Sequence, residues 1–258
     1  MRIGLALSGG GTRGIFHIGV LAALEEIGIM PNIISGASAG ALVGALYCGG
    51  MSPKEILEEA RSLKWYHFLG ARLPKNGVTS LDYINDLLRR HLTHDSFELL
   101  NIPLYVAVTN LQKGKEEIFS EGKLHTPILA SCAVPLIFEP VIIEAQVYMD
   151  GGILMNLPIE PIRPFCDLVI GSNLIPVDVL EENSLKGLTN ILTRVLEISI
   201  NQNTKSQRVM ADLIIETSLI SKYKRYDLTK PNQLYELGYQ TAMEQVPDFI
   251  KDRKFQNI

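Results

Sequence analysis

The apolar positions of the first fifty residues switch repeatedly between two patterns. Ile3 to Leu7 is an unbroken apolar run that reads as a buried strand. Ile15, Ile18, Gly19, Leu21, Ala22 and Leu24 follow at helical spacing, and the pattern ends near Gly28. Pro31 and Asn32 break the chain, and Ile33-Ile34 form a second short run. A helix of small residues runs from Ser38 to about Cys48 and stops at Gly49-Gly50. This alternation predicts parallel strands in an α/β fold, a three-layer α/β/α sandwich with a mainly parallel central sheet.

Further elements follow by the same reading. Ser52-Pro53-Lys54-Glu55 combines a serine cap, a proline at the first helical position and a capping-box glutamate, opening a helix to Leu63. Residues 65–77 are irregular, and Thr79 to Asp82 fits a second capping box for a helix to about His91 or Leu92. Pro103 to Thr109 and Glu116 to Phe119 read as a hairpin around Lys113-Gly114-Lys115. Thr126 to Ala133 is a short helix ended by Pro135, and Val141 to Glu144 and Gln146 to Met149 flank a tight turn. Asp167 to Ser172 and Leu213 to Thr217 are strands. Leu188 to about Ala211 and Pro231 to Val246 are helices, the latter beginning near a Thr229 cap, with a frayed tail from Lys251. With no repeat, low-complexity tract or linker, residues 1–258 are expected to form a single domain.

Composition narrows the classes. Hydrophobic residues make up 47% and charged residues 20%, enough apolar material for an ample core. The net charge of −4 argues against a nucleic-acid partner. Three widely spaced cysteines, Cys48, Cys132 and Cys166, form neither a CxxC pair nor a disulfide framework, which points to a reducing compartment. No run approaches the ~20 apolar residues that span a bilayer, and the apolar run at the N-terminus is too short for a signal-peptide core. The expectation is a cytoplasmic protein.

Chemistry concentrates at two glycine-rich turns. Gly36-Ala37-Ser38-Ala39-Gly40 is a GxSxG pattern between a strand and a helix. Such a nucleophile elbow holds a serine hydroxyl clear of the backbone, and the helix that follows aims free N–H groups at whatever the serine attacks. The plain alternative is a capping serine. Gly9, Gly11 and Gly14 satisfy GxGxxG after the first strand, so a dinucleotide site is the first rival. That site needs an acidic residue about twenty residues on, at the end of the second strand. Here Ser35-Gly36 stands there, and Glu25 and Glu26 lie inside the helix. The loop suits a different task, because successive glycine N–H groups can converge on one oxyanion. Arg13 either supports the loop through carbonyls or binds an anionic head group, the former being the safer reading.

A serine nucleophile needs a base. All five histidines, His17, His67, His91, His94 and His125, precede residue 126, so the order of an α/β-hydrolase triad is not met. Asp150 is the better candidate. It ends a strand and precedes Gly151-Gly152, although Asp-Gly is also an ordinary turn pair.

Taken together, Gly9-Gly10-Gly11-Thr12-Arg13-Gly14, the Ser38 elbow, Asp150-Gly151-Gly152 and the intervening Ser131 to Pro135 segment resemble the patatin-like phospholipase family. The pattern is nearest to the short bacterial members, and the likeness covers roughly residues 3 to 175. The resemblance implies a serine acyl hydrolase that cleaves lipid esters, of phospholipase A or lysophospholipase type, through a Ser38–Asp150 dyad without catalytic histidine. It also implies that Gly10 and Gly11 supply oxyanion-hole N–H groups, with Thr12 or Ala39 as further donors. No metal or cofactor is implied. The partners are a lipid or other acyl-ester substrate and a transient membrane surface. Trp65, Tyr66, Phe68 and Leu69 are a candidate lid, with core packing as the alternative. A general carboxylesterase or thioesterase, and an idle lipid- or protein-binding regulator, are the rival functions.

Overall fold

The computed structural model describes residues 1–63, 80–175 and 186–256, so the candidate lid at Trp65 to Leu69 and the Thr79 cap lie outside the described residues. In chain order the elements are β1 (Ile3–Leu7), α1 (Ile15–Ile27), β2 (Ile33–Ala37), α2 (Ala39–Cys48), α3 (Pro53–Ser62), α4 (Asp82–His91), β3 (Leu104–Asn110) and β4 (Lys115–Phe119). There follow α5 (His125–Ser131), β5 (Val141–Ile143), β6 (Gln146–Asp150), β7 (Leu168–Ser172), α6 (Leu188–Arg208), β8 (Leu213–Ile215) and α7 (Pro231–Gln256). Short 3-10 turns at Gly11–Gly14 and Gly151–Ile153 sit at the two glycine-rich segments.

The strands form one mixed sheet in the order β5-β6-β3-β2-β1-β7-β8, with β4 also paired to β3. Pairs β1–β2, β1–β7, β2–β3 and β7–β8 are parallel, and β3–β4, β3–β6 and β5–β6 are antiparallel. The centre is therefore the parallel α/β core expected from the alternation, and the antiparallel strands are grouped around β3.

Strand alternation divides the core between the two faces. Leu5, Leu7, Ile34, Leu168 and Ile170 join the large cluster that α1, α2 and α7 complete. Ala6, Ile33 and Val169 face the other way, against Leu157, Ile159 and Ile162. The first and last helices pack along one another. A Cβ on Gly19 would run into the Tyr235 carbonyl oxygen, and one on Gly238 into that of Phe16. Glycine at both places is what lets α1 and α7 approach so closely.

Three boundaries differ from expectation. The terminal helix continues through Pro247 to Gln256. Proline removes one backbone donor, but Phe249 and Ile250 beyond it pack on the core and keep the helix in register. The segment from Lys251 to Gln256 is accordingly helical. The last strand ends at Ile215, two residues early, because Thr217 turns to cap the Ser218–Lys222 turn through a bond from Leu219 N–H to its Oγ1. The β5–β6 turn is built from Glu144 and Ala145, at φ 49° and 63°. Positive φ at both central positions is the type I′ arrangement, which matches the twist of a hairpin.

Candidate active site

Strand register brings Ser38 and Asp150 together. β2 pairs along β3 as far as Ala37 opposite Ala107, and β6 pairs with β3 from Asp150 opposite Val108. β4 occupies the other edge of β3 over the same residues. The ends of β2 and β6 thus meet head-on along one edge, and the chain must leave β2 at once. It does so at Ser38, whose φ of 53° and ψ of −125° are those of a sharp elbow. Gly151 makes the corresponding exit from β6 possible, since a Cβ there would strike the Ala107 carbonyl.

The Ser38 side chain lies close enough to the Asp150 carboxylate to favour its charged form. Both residues are 6% exposed. Asp150 Oδ1 also accepts from Gly152 N–H at 2.7 Å. Its own N–H donates to Ala133 O at 3.0 Å, and its carbonyl accepts from Thr109 Oγ1 at 2.9 Å. Burial raises the carboxyl well above its ordinary value, to about 6, while Ser38, the bond from Gly152 and the charge of Arg225 oppose that rise. A carboxylate poised there is ionised at neutral pH and still basic enough to take a proton.

The glycine loop lies against this pair. Gly9 N–H donates to Asn156 O at 3.1 Å, and Thr12 N–H donates to Arg225 O at 2.8 Å. Thr12 is therefore not an available oxyanion donor. The N–H groups of Gly10, Gly11 and Ala39 have no partner among the described residues and remain to serve an anion. Arg13 supports the loop: Nε donates to Tyr223 O at 2.8 Å and Nη1 to Leu174 O at 3.3 Å. His17 does related work from beneath. It bridges Ser8 O and Ser172 Oγ, at 2.8 Å each. Burial lowers its pKa to about 4, so it is neutral near pH 7 and holds structure rather than charge.

Several contributors were not expected as site residues, although Ser131 opens a segment that the resemblance included. Ser131 Oγ accepts from Ser38 N–H at 2.8 Å and donates to Ala107 O at 2.7 Å, tying the elbow to β3. Asn156 wedges its side chain between the loop and Asp150. Its Oδ1 lies 2.6 Å from where a Cβ on Gly9 would be and 2.8 Å from one on Gly152, and Asp150 Oδ1 lies 2.9 Å from the latter. Its Nδ2 is buried with no hydrogen-bond partner among the described residues. Residues 223–225 clamp the loop through their carbonyls. Spatial proximity reveals these features, because Ser131 lies 93 residues from Ser38 and Asn156 and residues 223–225 lie farther still from the glycine loop.

A cavity of about 430 Å³ opens from Ser38 and Ala39 and runs among α1, α2, α3 and α4. Ile15, Ile18, Leu42, Leu46, Ile56 and Leu87 are among its walls, and exposed Tyr226 also lines it. The walls are overwhelmingly apolar, which suits an alkyl chain. Among the described residues no three His, Cys, Asp or Glu side chains converge to hold a metal ion.

The chain is similar to several known proteins. An uncharacterized NTE family protein of Mycobacterium bovis is 36% identical over 177 residues, covering 67% of this chain and 49% of that protein. The lysophospholipase nte1 of Aspergillus fumigatus is 25% identical over 92% of this chain and 18% of its own length. The chain thus spans about half the length of the mycobacterial relative and under a fifth of the fungal one. VipD from Legionella pneumophila superposes with a TM-score of 0.55 at 18% identity, over 97% of this chain and 67% of that one, a likeness of fold. A family model described as patatin-like phospholipase matches residues 5–163, more than half of the chain. The chain belongs to the patatin-like phospholipase family.

Proposed function

We propose that the chain is a serine acyl hydrolase acting on lipid carboxylic esters, of the phospholipase A or lysophospholipase type. The observation that carries this reading is the meeting of buried Ser38 and Asp150 where β2 and β6 end on β3, beside an apolar cavity and N–H groups without a partner among the described residues. Family membership and the lysophospholipase relative support the lipid substrate class. As Ser38 Oγ attacks the ester carbonyl, Asp150 takes its proton. The Gly10, Gly11 and Ala39 N–H groups hold the tetrahedral oxyanion, a role in which each donor is typically worth about 2.7–4 kcal/mol of barrier. Protonated Asp150 then returns the proton to the departing alcohol, leaving an acyl-Ser38. Water, deprotonated by Asp150, attacks the acyl carbonyl, and collapse releases the fatty acid as Asp150 returns the proton to Ser38 Oγ. The acyl chain lies in the cavity behind Ala39 throughout.

Residues 1–258 act as one unit in this reading, supported by the packing of α7 on α1 and by the clamp that residues 223–225 place on the loop. The reading places the enzyme in the cytoplasm. Its three free cysteines are in keeping with that. The test is labelling by a fluorophosphonate probe. Wild type is expected to label and Ser38→Ala not to label. Equal labelling of both, or of neither, would leave the chain as a binding protein.

A further inference from the structure

α6 is amphipathic in the opposite sense to a packed surface helix. Polar residues of its C-terminal half face the body of the molecule. Asn203 Nδ2 donates to Gly152 O and Ile153 O at 3.0 Å each, and its Oδ1 accepts from Asn156 N–H at 3.1 Å. Gln207 Oε1 accepts from the N–H groups of Ile159 and Glu160, and Thr204 is buried. The apolar residues point outward. Leu188, Ile191, Leu192, Val195 and Ile198 are between 39% and 72% exposed. Their spacing of three and four residues aligns them along one side of the helix over about three turns. A contiguous apolar stripe of this kind marks an interaction surface.

Charge and position identify the partner. Residues 186–230 carry eight Lys or Arg and four Asp or Glu, in a chain whose net charge is −4. Lys186 and Lys205 lie at either end of the stripe, and both are exposed, as are Lys222, Lys224 and Lys230. The acidic residue of α6, Glu197, is already engaged by Arg194 at 3.2 Å and by Arg225 at 3.3 Å. The Glu197–Arg225 pair also fixes α6 beside the cavity, because the next residue, exposed Tyr226, is one of its lining residues. A second copy of the chain fits poorly here, since a two-fold interface would set this basic face against itself.

We propose that the outward stripe of α6, with the lysines around it, docks on the surface of an anionic lipid bilayer and brings the cavity against the substrate phase. An apolar helix face lies about 5–10 Å into the headgroup region when docked in this way, and basic residues at its rim add attraction to anionic lipid. The choice of partner rests on the lipid-hydrolase reading, but the contact is independent of the chemistry at Ser38.

The experiment uses the full chain carrying Ser38→Ala, floated with vesicles of equimolar phosphatidylcholine and phosphatidylglycerol or of phosphatidylcholine alone. Binding is expected to favour the anionic vesicles and to weaken with salt. Adding Val195→Ser and Ile198→Ser is expected to cut it by about tenfold or more, a loss of about 1.4 kcal/mol or more. In the background with Ser38 intact, the same two substitutions should leave hydrolysis of a soluble short-chain ester unchanged, which also shows that the variant folds. Absence of binding by the parent chain, binding unaffected by the substitutions, or a dimer in solution that the substitutions dissociate would each overturn the proposal. If fluorophosphonate still labels Ser38 while the vesicles are not bound, docking fails and the hydrolase reading stands. Vesicle binding without labelling gives the reverse.

Discussion

The N–H of Ser38 donates to the hydroxyl of Ser131 at 2.8 Å, and that hydroxyl donates in turn to the carbonyl of Ala107 at 2.7 Å. One buried side chain therefore ties the elbow to the strand that also carries Asp150 on its edge. Replacing it leaves a buried N–H and a buried C=O unsatisfied together.

Ser131→Ala is expected to lose about 1–3 kcal/mol of stability and to lower kcat at least tenfold (about 1.4 kcal/mol of barrier), with KM nearly unchanged. Denaturant titration and steady-state kinetics on a soluble ester check both. Full kcat in a destabilised Ser131→Ala protein would limit Ser131 to a structural part.

The pH profile should follow Asp150. With its carboxyl raised to about 6, kcat/KM is expected to climb through about pH 6 as the base ionises and then to level off. Stability should move the other way. The folded carboxyl holds its proton up to about pH 6, whereas the unfolded one releases it near the ordinary 3.8. Between those values the folded state binds more protons, so the burial penalty grows as pH rises and is fully present above about 6.

Asp150→Asn should therefore abolish turnover while raising stability at pH 8, on the order of 1–3 kcal/mol. The gain should vanish near pH 4, where the wild-type carboxyl is protonated as well. Thermal unfolding of the two proteins across pH decides this. A variant less stable at every pH would show that the Ser38 and Gly152 interactions outweigh the burial penalty.

Asn156→Asp would place a second carboxylate beside the first. The like charge should push the Asp150 limb of the pH profile upward by about one unit or more, with little change in maximal rate at high pH. An unmoved limb would mean that the Asn156 side chain does not sense the Asp150 charge.

Narrowing the cavity should shorten the accepted chain. Val43→Phe on α2 fills space among the walls. It is expected to leave butyrate esters almost unaffected and to lower kcat/KM for long-chain esters by about tenfold or more. Parallel losses on both would place the acyl chain elsewhere.

Histidine replacement separates the dyad from a triad. His91→Ala, His94→Ala and His125→Ala should all retain turnover of a soluble ester. His17→Ala should chiefly lower stability, because its two bonds hold Ser8 and Ser172 rather than a proton in transit. An essential histidine with a pKa near 7 in the rate profile would overturn the Ser38–Asp150 assignment.

The elements most legible in the chain were those that local chemistry specifies. The Ser52–Glu55 capping box is formed as read, with the Ser52 side chain bonded to Glu55 N–H and the Glu55 side chain to Ser52 N–H. The alternation of apolar runs and glycine turns over residues 3–50 gave β1, α1, β2 and α2. The β5–β6 turn was legible only as a position. Its type I′ geometry rests on Glu144 and Ala145, neither of them a residue that favours positive φ.

The sequence alone determined that a serine sits at a strand–helix elbow, that a glycine loop follows the first strand, and that an aspartate ends a late strand before two glycines. Those features depend on residues within a few positions of one another, which is the range over which backbone sterics and caps act. Tertiary structure alone decided that the serine and the aspartate meet. That depends on β2 and β6 stopping at adjacent places on β3, a register set by long-range strand pairing. It decided likewise that Thr12 is withdrawn from the oxyanion donors by Arg225, that Ser131 and Asn156 brace the pair, and that α6 turns its apolar side outward. Hydrogen-bond commitments across more than 90 residues leave no periodic trace in a chain, because each is fixed by where two separate elements happen to pack.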